Sequence, residues 1–129
     1  MMAAIPQGCT LMKGLDDHAL QDVAAYFAAL AAPMRLKILN ALREGERNVT
    51  ELTVQFGCSQ ANVSKHLAVL AHGGLIEKLR RGTSAYYRIT DPRVYQLCDL
   101  VCGQIGRRYA QQAGRRAAFM PGKARGRAA

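Results

Sequence analysis

Apolar positions recur at three- and four-residue steps over most of the chain, and this spacing is typical of helices. The first such segment begins at Leu15, and Asp16 and Asp17 stand where the amino terminus of a helix favours acidic residues. Pro33 ends that segment and opens a second helix, which we expect to close at Gly45. The amino-terminal half of the chain is therefore predicted to begin with two helices.

Two shorter helical segments follow, and they are separated by the sequence GCS. The first of them, NVTELTVQFG, is expected to be capped by Thr50 and to end at Gly57. The second, SQANVSKHLAVLAHGG, starts at Ser59 and ends at a pair of glycines. Its inward-facing positions are predicted to be Val63, Leu67 and Leu70. Two short helices joined in this way are a candidate helix-turn-helix.

The hydrophobic period then changes from that of a helix to that of a strand. The segments LIEKL and AYYRI flank RRGTS, whose Gly82 favours a turn, so we predict a β-hairpin. Asp91 and Pro92 follow as a predicted N-cap and first residue of a last helix, which carries an apolar stripe. The predicted fold is mainly α with a small β-hairpin, in the order of a winged helix-turn-helix.

Length and charge fit a single domain with flanking segments. The chain has 129 residues and a net charge of +9, a balance that suits a polyanionic partner such as nucleic acid. Residues 1–14 are predicted to be a flexible arm, 15–113 the winged helix domain, and 114–129 a basic disordered tail. No apolar run approaches the ~20 residues that cross a bilayer, and no secretory signal begins the chain, so we expect a cytoplasmic protein without membrane contact.

The polar face of the fourth helix carries side chains suited to contact DNA. Gln60 and Asn62 have the paired donor and acceptor that match adenine in the major groove, and no acidic residue occurs between Ser59 and Ile76. Arginines at the hairpin tip are expected to reach a minor groove or its phosphates. The predicted DNA contacts are Ser59, Gln60, Asn62, Ser64, Lys65, His66, Arg80, Arg81 and Thr83.

Taken together, the stretch CSQANVSKHLAVLAHGGLIEKLRRGTSAYYRI and the preceding LAAPMRLKILNALREGERNVTEL resemble the ArsR/SmtB family of bacterial repressors, over about residues 15–109. The resemblance implies a homodimer formed through the first and last helices, bound to a palindromic operator in double-stranded DNA. It also implies release from DNA when an effector binds, often a metal ion or metalloid. The sequence has neither a C-x-x-C motif nor a nucleophile paired with a base, so we do not expect an enzyme.

Three sensing sites familiar from this family are missing. Thr53 and Gln55 occupy both thiolate positions of the site that precedes the turn, and no histidine follows His72 to form the zinc site of the last helix. The second helix has Asn40 about where the sulfide-sensing members carry a cysteine. The effector must therefore be sought at other residues.

Cys98 and Cys102 remain, four residues apart on the last helix and so on one face of it. Two thiolates suit a soft effector, with As(III) or Sb(III) favoured over other soft metal ions, and no cofactor is required for DNA binding. A trivalent metalloid needs a third sulfur, for which Cys9 on the arm is the candidate and Cys58 the alternative. Other readings stay open: apolar filling of a dimer interface, a thiol-redox switch, or a constitutive DNA-binding protein with no cysteine-based effector.

Overall fold

The computed structural model describes residues 11–110, and the candidate ligand Cys9 and the predicted basic tail lie outside them. The described residues divide into two units, one ending at Thr90 and one beginning at Asp91. A 3-10 turn at Leu11–Gly14, inside the predicted arm, precedes the first unit's helices and strands. These are α1 (Asp17–Leu30), α2 (Pro33–Leu42), β1 (Arg47–Asn48), α3 (Val49–Phe56), α4 (Gln60–His72), β2 (Ile76–Arg81) and β3 (Ser84–Ile89). The second unit contains α5 (Arg93–Tyr109).

The three strands form one antiparallel sheet in the order β1-β3-β2. The hairpin of β2 and β3 was predicted from the sequence, and it turns at Gly82, whose φ of 65° lies in the left-handed region. The two-residue strand β1 was not predicted, because a pair of residues is too short to carry an alternating pattern. Pairing of Arg47 with Tyr87 joins the start of α3 to the β2–β3 hairpin, which is the wing of the fold.

The core of the first unit is aliphatic and surrounds α4. Val63, Leu67 and Leu70 are inaccessible to solvent, as the sequence predicted, and so are Ile38 of α2 and Leu52 of α3. The remaining buried side chains are also apolar: Ala29, Leu30, Leu39, Ala41, Leu42, Leu75 and Ile76. Each buried Val, Leu or Ile contributes about 1.5–3 kcal/mol to folding, so the inward stripe of α4 sets which of its faces remains in water.

Helix α3 begins with a capping box that the sequence reading missed. The Asn48 side chain accepts a hydrogen bond from the Glu51 amide at 2.8 Å, and the Glu51 carboxylate accepts from the Asn48 amide at 2.9 Å. The predicted cap at Thr50 is therefore wrong, since Thr50 lies inside the helix. At the other end, Gly57 has a φ of 64° and is the predicted left-handed C-cap.

Other helix ends differ from the sequence prediction by a few residues. Helix α2 ends at Leu42, and Gly45, with a φ of 135°, lies in the turn that follows. Asp16 is the N-cap of α1, where its carboxylate accepts from the Ala19 amide at 2.8 Å. Helix α5 begins at Arg93 with Pro92 in the N-cap position, one residue later than predicted, and the Asp91 carboxylate accepts from the Arg93 backbone amide at 2.9 Å. Within residues 11–110, no helix is long and apolar enough to cross a membrane.

We expect Asn48→Ala to lower the free energy of unfolding by about 1 kcal/mol, because the first turn of α3 loses its cap. Thermal or urea unfolding of the full chain measures the change. Thr50→Ala is the matched control and should cost nothing, since Thr50 is exposed and makes no cap bond. A larger loss in the Thr50 variant than in the Asn48 variant would contradict the capping assignment.

Candidate nucleic-acid interface

Helix α4 presents a bare polar face opposite its buried stripe. Gln60, Ser64 and Lys65 are exposed, whereas Asn62 and His66 are half-buried. The Ser59 hydroxyl accepts a hydrogen bond from the backbone N–H of Asn62 at 3.1 Å and so caps the helix. The first turn contains no acidic residue, so its positive helix-dipole end is not neutralised. The DNA contacts predicted for the fourth helix thus lie at its N-cap and in its first two turns.

His66 faces another part of the protein through one edge of its ring. Its Nδ1 lies 3.0 Å from Nη1 of Arg35 on α2. Because a guanidinium only donates, Nδ1 accepts this bond, and the ring proton of the neutral imidazole is on Nε2. The same Arg35 donates from Nε to the Ala29 carbonyl at 2.7 Å and from Nη2 to the Ala28 carbonyl at 3.3 Å. Only Nε2 of His66 is left for a contact outside the protein.

Burial, the Arg35 guanidinium and the Lys65 ammonium all lower the pKa of His66 from its ordinary value of 6.5. Since the folded-state pKa lies below that of the unfolded chain, the unfolded chain binds more protons between the two values. The stability that neutral His66 contributes is therefore complete above about pH 6.5 and is lost as the pH falls through the folded-state pKa. The hydrogen bond from Arg35 forms only with the neutral imidazole of His66.

The wing carries its arginines in two different electrostatic states. Arg81 donates to the Glu46 carboxylate at 2.8 Å, and Arg88 donates to Glu77 at 2.6 Å across the hairpin. Arg80 is exposed and has no carboxylate partner among the described residues. Both predicted contacts Arg80 and Arg81 lie at the end of β2 and Thr83 is exposed in the turn, but Arg81 shares its charge with an acid.

The two cysteines of α5 fit part of a soft-metal site. Cys98 is half-buried and Cys102 exposed, and their four-residue spacing places both thiols on one face of the helix. No three His, Cys, Asp or Glu side chains come together within residues 11–110. Helix α5 therefore offers two soft ligands, which suits an ion that accepts two sulfurs. Three-sulfur coordination requires a donor from outside it.

An open cleft of about 480 Å³ lies between α2, β1 and α3. It is lined by Lys37, Asn40, Ala41, Glu44, Arg47, Gln55 and Phe56. The polar groups that line it are two side-chain amides, one carboxylate and two cations, and none of the lining residues carries a thiol. The cleft does not have the ligands that a thiophilic ion requires.

Comparison with known sequences identifies the family. The sequence model described as "Bacterial regulatory protein, arsR family" matches residues 32–78, which run from the start of α2 into β2. The chain is 44% identical to the HTH-type transcriptional regulator NmtR of Mycobacterium tuberculosis over 85 residues, 66% of this chain and 71% of that protein. The chain belongs to the ArsR family. As a member it is a DNA-binding transcriptional regulator and not an enzyme.

Further similarities agree with this assignment. The chain is 42% identical to the probable mercury resistance operon repressor of Streptomyces lividans over 77 residues, 60% of this chain and 62% of that protein. A solved structure of a homodimeric winged helix-turn-helix DNA-binding domain from Mycobacterium bovis, a possible ArsR-family regulator, matches with a TM-score of 0.66 and 35% identity. The match covers 78% of this chain and 96% of that one. The predicted winged helix-turn-helix fold is thereby confirmed.

Sequence reasoning missed two residues that shape this interface, Arg35 and Glu46. Arg35 contacts His66 across 31 residues of chain, and Glu46 contacts Arg81 across 35. One weak signal was present for Arg35, because the last turn of α1 has no basic residue of its own to meet its carbonyl groups. Nothing in the local pattern indicates Glu46 as a partner for the wing.

Proposed function

We propose that the chain is a dimeric, sequence-specific repressor that occupies a palindromic operator and is released by a thiophilic ion bound at cysteines of α5. The observation that carries the DNA-reading half is the acid-free polar face of α4, held outward by a solvent-inaccessible stripe. The homodimeric domain from Mycobacterium bovis supports a dimer for this chain, and the exposed Leu20 and Phe27 of α1 supply apolar surface for it. A regulator of this kind works in the cytoplasm, where its DNA is.

The residues of α4 have separable roles in this proposal. Gln60 and Asn62 carry amides that pair with the N6 and N7 groups of adenine, so they read sequence. Lys65 and the hydroxyls of Ser59 and Ser64 bind phosphate oxygens, so they set the position of the helix on the duplex. His66 is left with Nε2 for any DNA contact, because Nδ1 accepts from Arg35. Its contribution to direct readout is therefore limited to one hydrogen bond from that nitrogen.

The wing contributes phosphate or minor-groove contacts, and its arginines contribute unequally. Arg80 presents an exposed charge without an acidic partner in the described part of the chain. Arg81 must share its guanidinium with Glu46, so its pairing with a phosphate displaces or splits an existing ion pair. Thr83 adds a hydroxyl at the turn. We therefore assign most of the wing's electrostatic contribution to Arg80.

The effector is proposed to be thiophilic because α5 offers Cys98 and Cys102 on one face. As(III) and Sb(III) are favoured when Cys9, from either protomer, supplies a third sulfur, whereas an ion such as Hg(II) is satisfied by two thiolates. The likeness to a probable mercury resistance operon repressor supports the two-thiolate alternative. A disulfide switch is less favoured, because two cysteines one turn apart in an intact helix do not meet disulfide geometry.

Selection of bound fragments from a random DNA pool, followed by footprinting, tests the DNA-binding half. We expect protection of a palindrome, with affinity about a thousandfold above that for random DNA. A variant lacking residues 114–129 should retain this specificity, because base contacts come from α4 rather than from the tail. Loss of all specific binding on removal of the tail would instead indicate a basic DNA-coating protein.

Arg80→Gln should weaken binding to all DNA sequences alike and reduce the salt dependence of affinity by about one phosphate contact. The matched control is Arg88→Gln, which removes the same charge from a wing residue that is already paired with Glu77. Fluorescence anisotropy at several salt concentrations measures both. Equal losses in the two variants would mean that only net charge matters and would contradict a wing-tip contact.

Titration of the reduced, DNA-bound protein with As(III), Sb(III), Hg(II) and an oxidant tests the effector half. Thiophilic ions should release wild-type protein from DNA, and Cys98→Ser and Cys102→Ser should abolish that release. Cys9→Ser should remove the response to the trivalent metalloids and spare that to Hg(II), which needs two sulfurs. Cys58→Ser tests the alternative third donor: it should respond to every ion like wild type if Cys9 completes the site, and should lose the response to the trivalent metalloids if Cys58 does.

The possible outcomes separate the alternatives. Release by the oxidant and not by any ion would replace the metal sensor with a thiol-redox repressor. Unchanged DNA binding under every condition would contradict both, and would leave a constitutive DNA-binding protein. Normal ion-driven release in the Cys98 and Cys102 variants would show that the site has been assigned to the wrong residues.

A further inference from the structure

We propose that Arg35 is a positioning residue for DNA binding, which fixes the recognition helix α4 to the carboxyl end of α1 through His66. This inference rests on the proposed function, since it assigns a role within the same DNA-reading surface. Arg35 does not need to touch DNA for it. Its guanidinium joins three helices at once, and two of them are the proposed dimerisation helix α1 and the recognition helix α4.

The hydrogen bonds of Arg35 leave little freedom to its side chain. Nε donates to the Ala29 carbonyl at 2.7 Å, Nη2 to the Ala28 carbonyl at 3.3 Å and Nη1 to His66 Nδ1 at 3.0 Å. A guanidinium is planar, so bonds from all three nitrogens set its orientation as well as its place. The carbonyls at the end of α1 carry the negative end of the helix dipole, which a cation stabilises. Arg35 supplies that cation, because the last turn of α1 contains no basic residue.

A second contact between the same two helices supports the assignment. A Cβ placed on Gly73, at the carboxyl end of α4, would stand 3.1 Å from Cβ of Ala29. Ala29 itself is 5% exposed. The end of α1 therefore touches α4 directly at Gly73 and reaches it again, through Arg35, at His66. Two separate contacts along α4 constrain its tilt relative to α1 more than one contact would.

Protonation of His66 offers a way to break the bridge without a mutation. The charged groups that act on the imidazole are Arg35 from α2 and Lys65 from α4 itself, and both are cationic. An imidazolium has no lone pair for Arg35, and it places two positive charges side by side. The bridge is thus present at neutral pH and lost in acid. A His66 that binds phosphate would behave in the opposite way, since its charge would strengthen binding.

Two substitutions of His66 separate the bridge from a direct DNA contact. Asn places its Oδ1 near the position of Nδ1 and keeps an acceptor for Arg35, but has nothing at the position of Nε2. Gln carries its amide out to the position of Nε2 and leaves Arg35 without its acceptor. The bridge predicts that, at neutral pH, His66→Gln binds operator DNA about tenfold more weakly than His66→Asn does. The reverse order would overturn the proposal in favour of direct contact.

Arg35→Met completes the cycle, with Arg43→Met as the matched loss of an exposed arginine from the end of α2. We expect Arg35→Met to weaken specific binding by about tenfold, and the double variant with His66→Gln to be no weaker, because both break one bridge. Additive losses would contradict the proposal. Wild-type affinity should fall as the pH drops through the folded-state pKa of His66, which lies below the ordinary 6.5, and that of His66→Asn should not. A wild-type affinity that rises in acid more than that of His66→Asn would also count against it.

Failure of the proposed function can be distinguished from failure of the bridge. If wild-type protein recognises no DNA sequence, the proposed function has failed, and the bridge is then tested in the free protein by hydrogen exchange. Arg35→Met should speed exchange of amides in α4 while leaving the β2–β3 hairpin unchanged, and Arg43→Met should do neither. If Arg35→Met does not fold, the His66→Asn and His66→Gln pair still decides, since both keep Arg35. Uniform exchange changes across the domain would reduce Arg35 to a general stabiliser.

Discussion

Helix α4 must be held firmly through one face while its other face stays exposed for DNA. The packing of the first unit meets this requirement. Three aliphatic side chains, Val63, Leu67 and Leu70, bury completely and decide which face turns inward. Burial of apolar surface is not directional, so it fixes the rotation of a helix better than its exact axial position. Directional contacts supply the remainder: the Ser59 cap at one end, the Gly73–Ala29 approach at the other and the Arg35–His66 bond between them.

Charge in this domain acts through placement. Without the residues after Gly114, the chain has 13 basic and 9 acidic residues, a net charge of only +4. Paired arginines account for part of the basic surface, since Arg81, Arg88 and Arg93 each have a carboxylate within 2.8 Å. Exposed ion pairs of this kind add little stability, about 0–1 kcal/mol, but they lower the charge available to a phosphate. Lys65 on α4 and Arg80 at the end of β2 are among the exposed cations that no carboxylate of the described residues offsets.

The sequence was enough to predict the α-helices and the β2–β3 hairpin, because each has its own hydrophobic period and boundary residues. Pro33, Gly57, Ser59 and Gly82 all lie at the boundaries that their backbone preferences indicate. The misses share a physical origin. Strand β1 is too short to show a period, and the cap of α3 depends on a reciprocal pair, Asn48 and Glu51, that a search beginning at Thr50 passes over.

The residues of the candidate site were predictable only where a local sequence pattern indicates which side chains are exposed. The polar face of α4 is such a pattern, and its exposure follows from the buried stripe. The Arg35–His66 and Glu46–Arg81 contacts join residues more than 30 positions apart, and no periodicity reports which distant side chain will arrive. The same limit applies to the thiols. Spacing pairs Cys98 with Cys102 on one face, but the third donor depends on chain geometry rather than on spacing.

A polar bridge has a property that apolar packing lacks, and the property matters for a regulator. An effector changes DNA affinity only if it binds the DNA-competent and incompetent conformations with different free energy. Aliphatic side chains accommodate a small slide of α1 against α4 with little loss. The bonds from Arg35 do not, because they are 2.7–3.3 Å long and a helix shift of about 1 Å takes them beyond hydrogen-bonding distance. In its proposed role, an arginine fixed between the proposed dimerisation helix and the recognition helix converts a gradual displacement at the dimer interface into a discrete loss of alignment at the DNA.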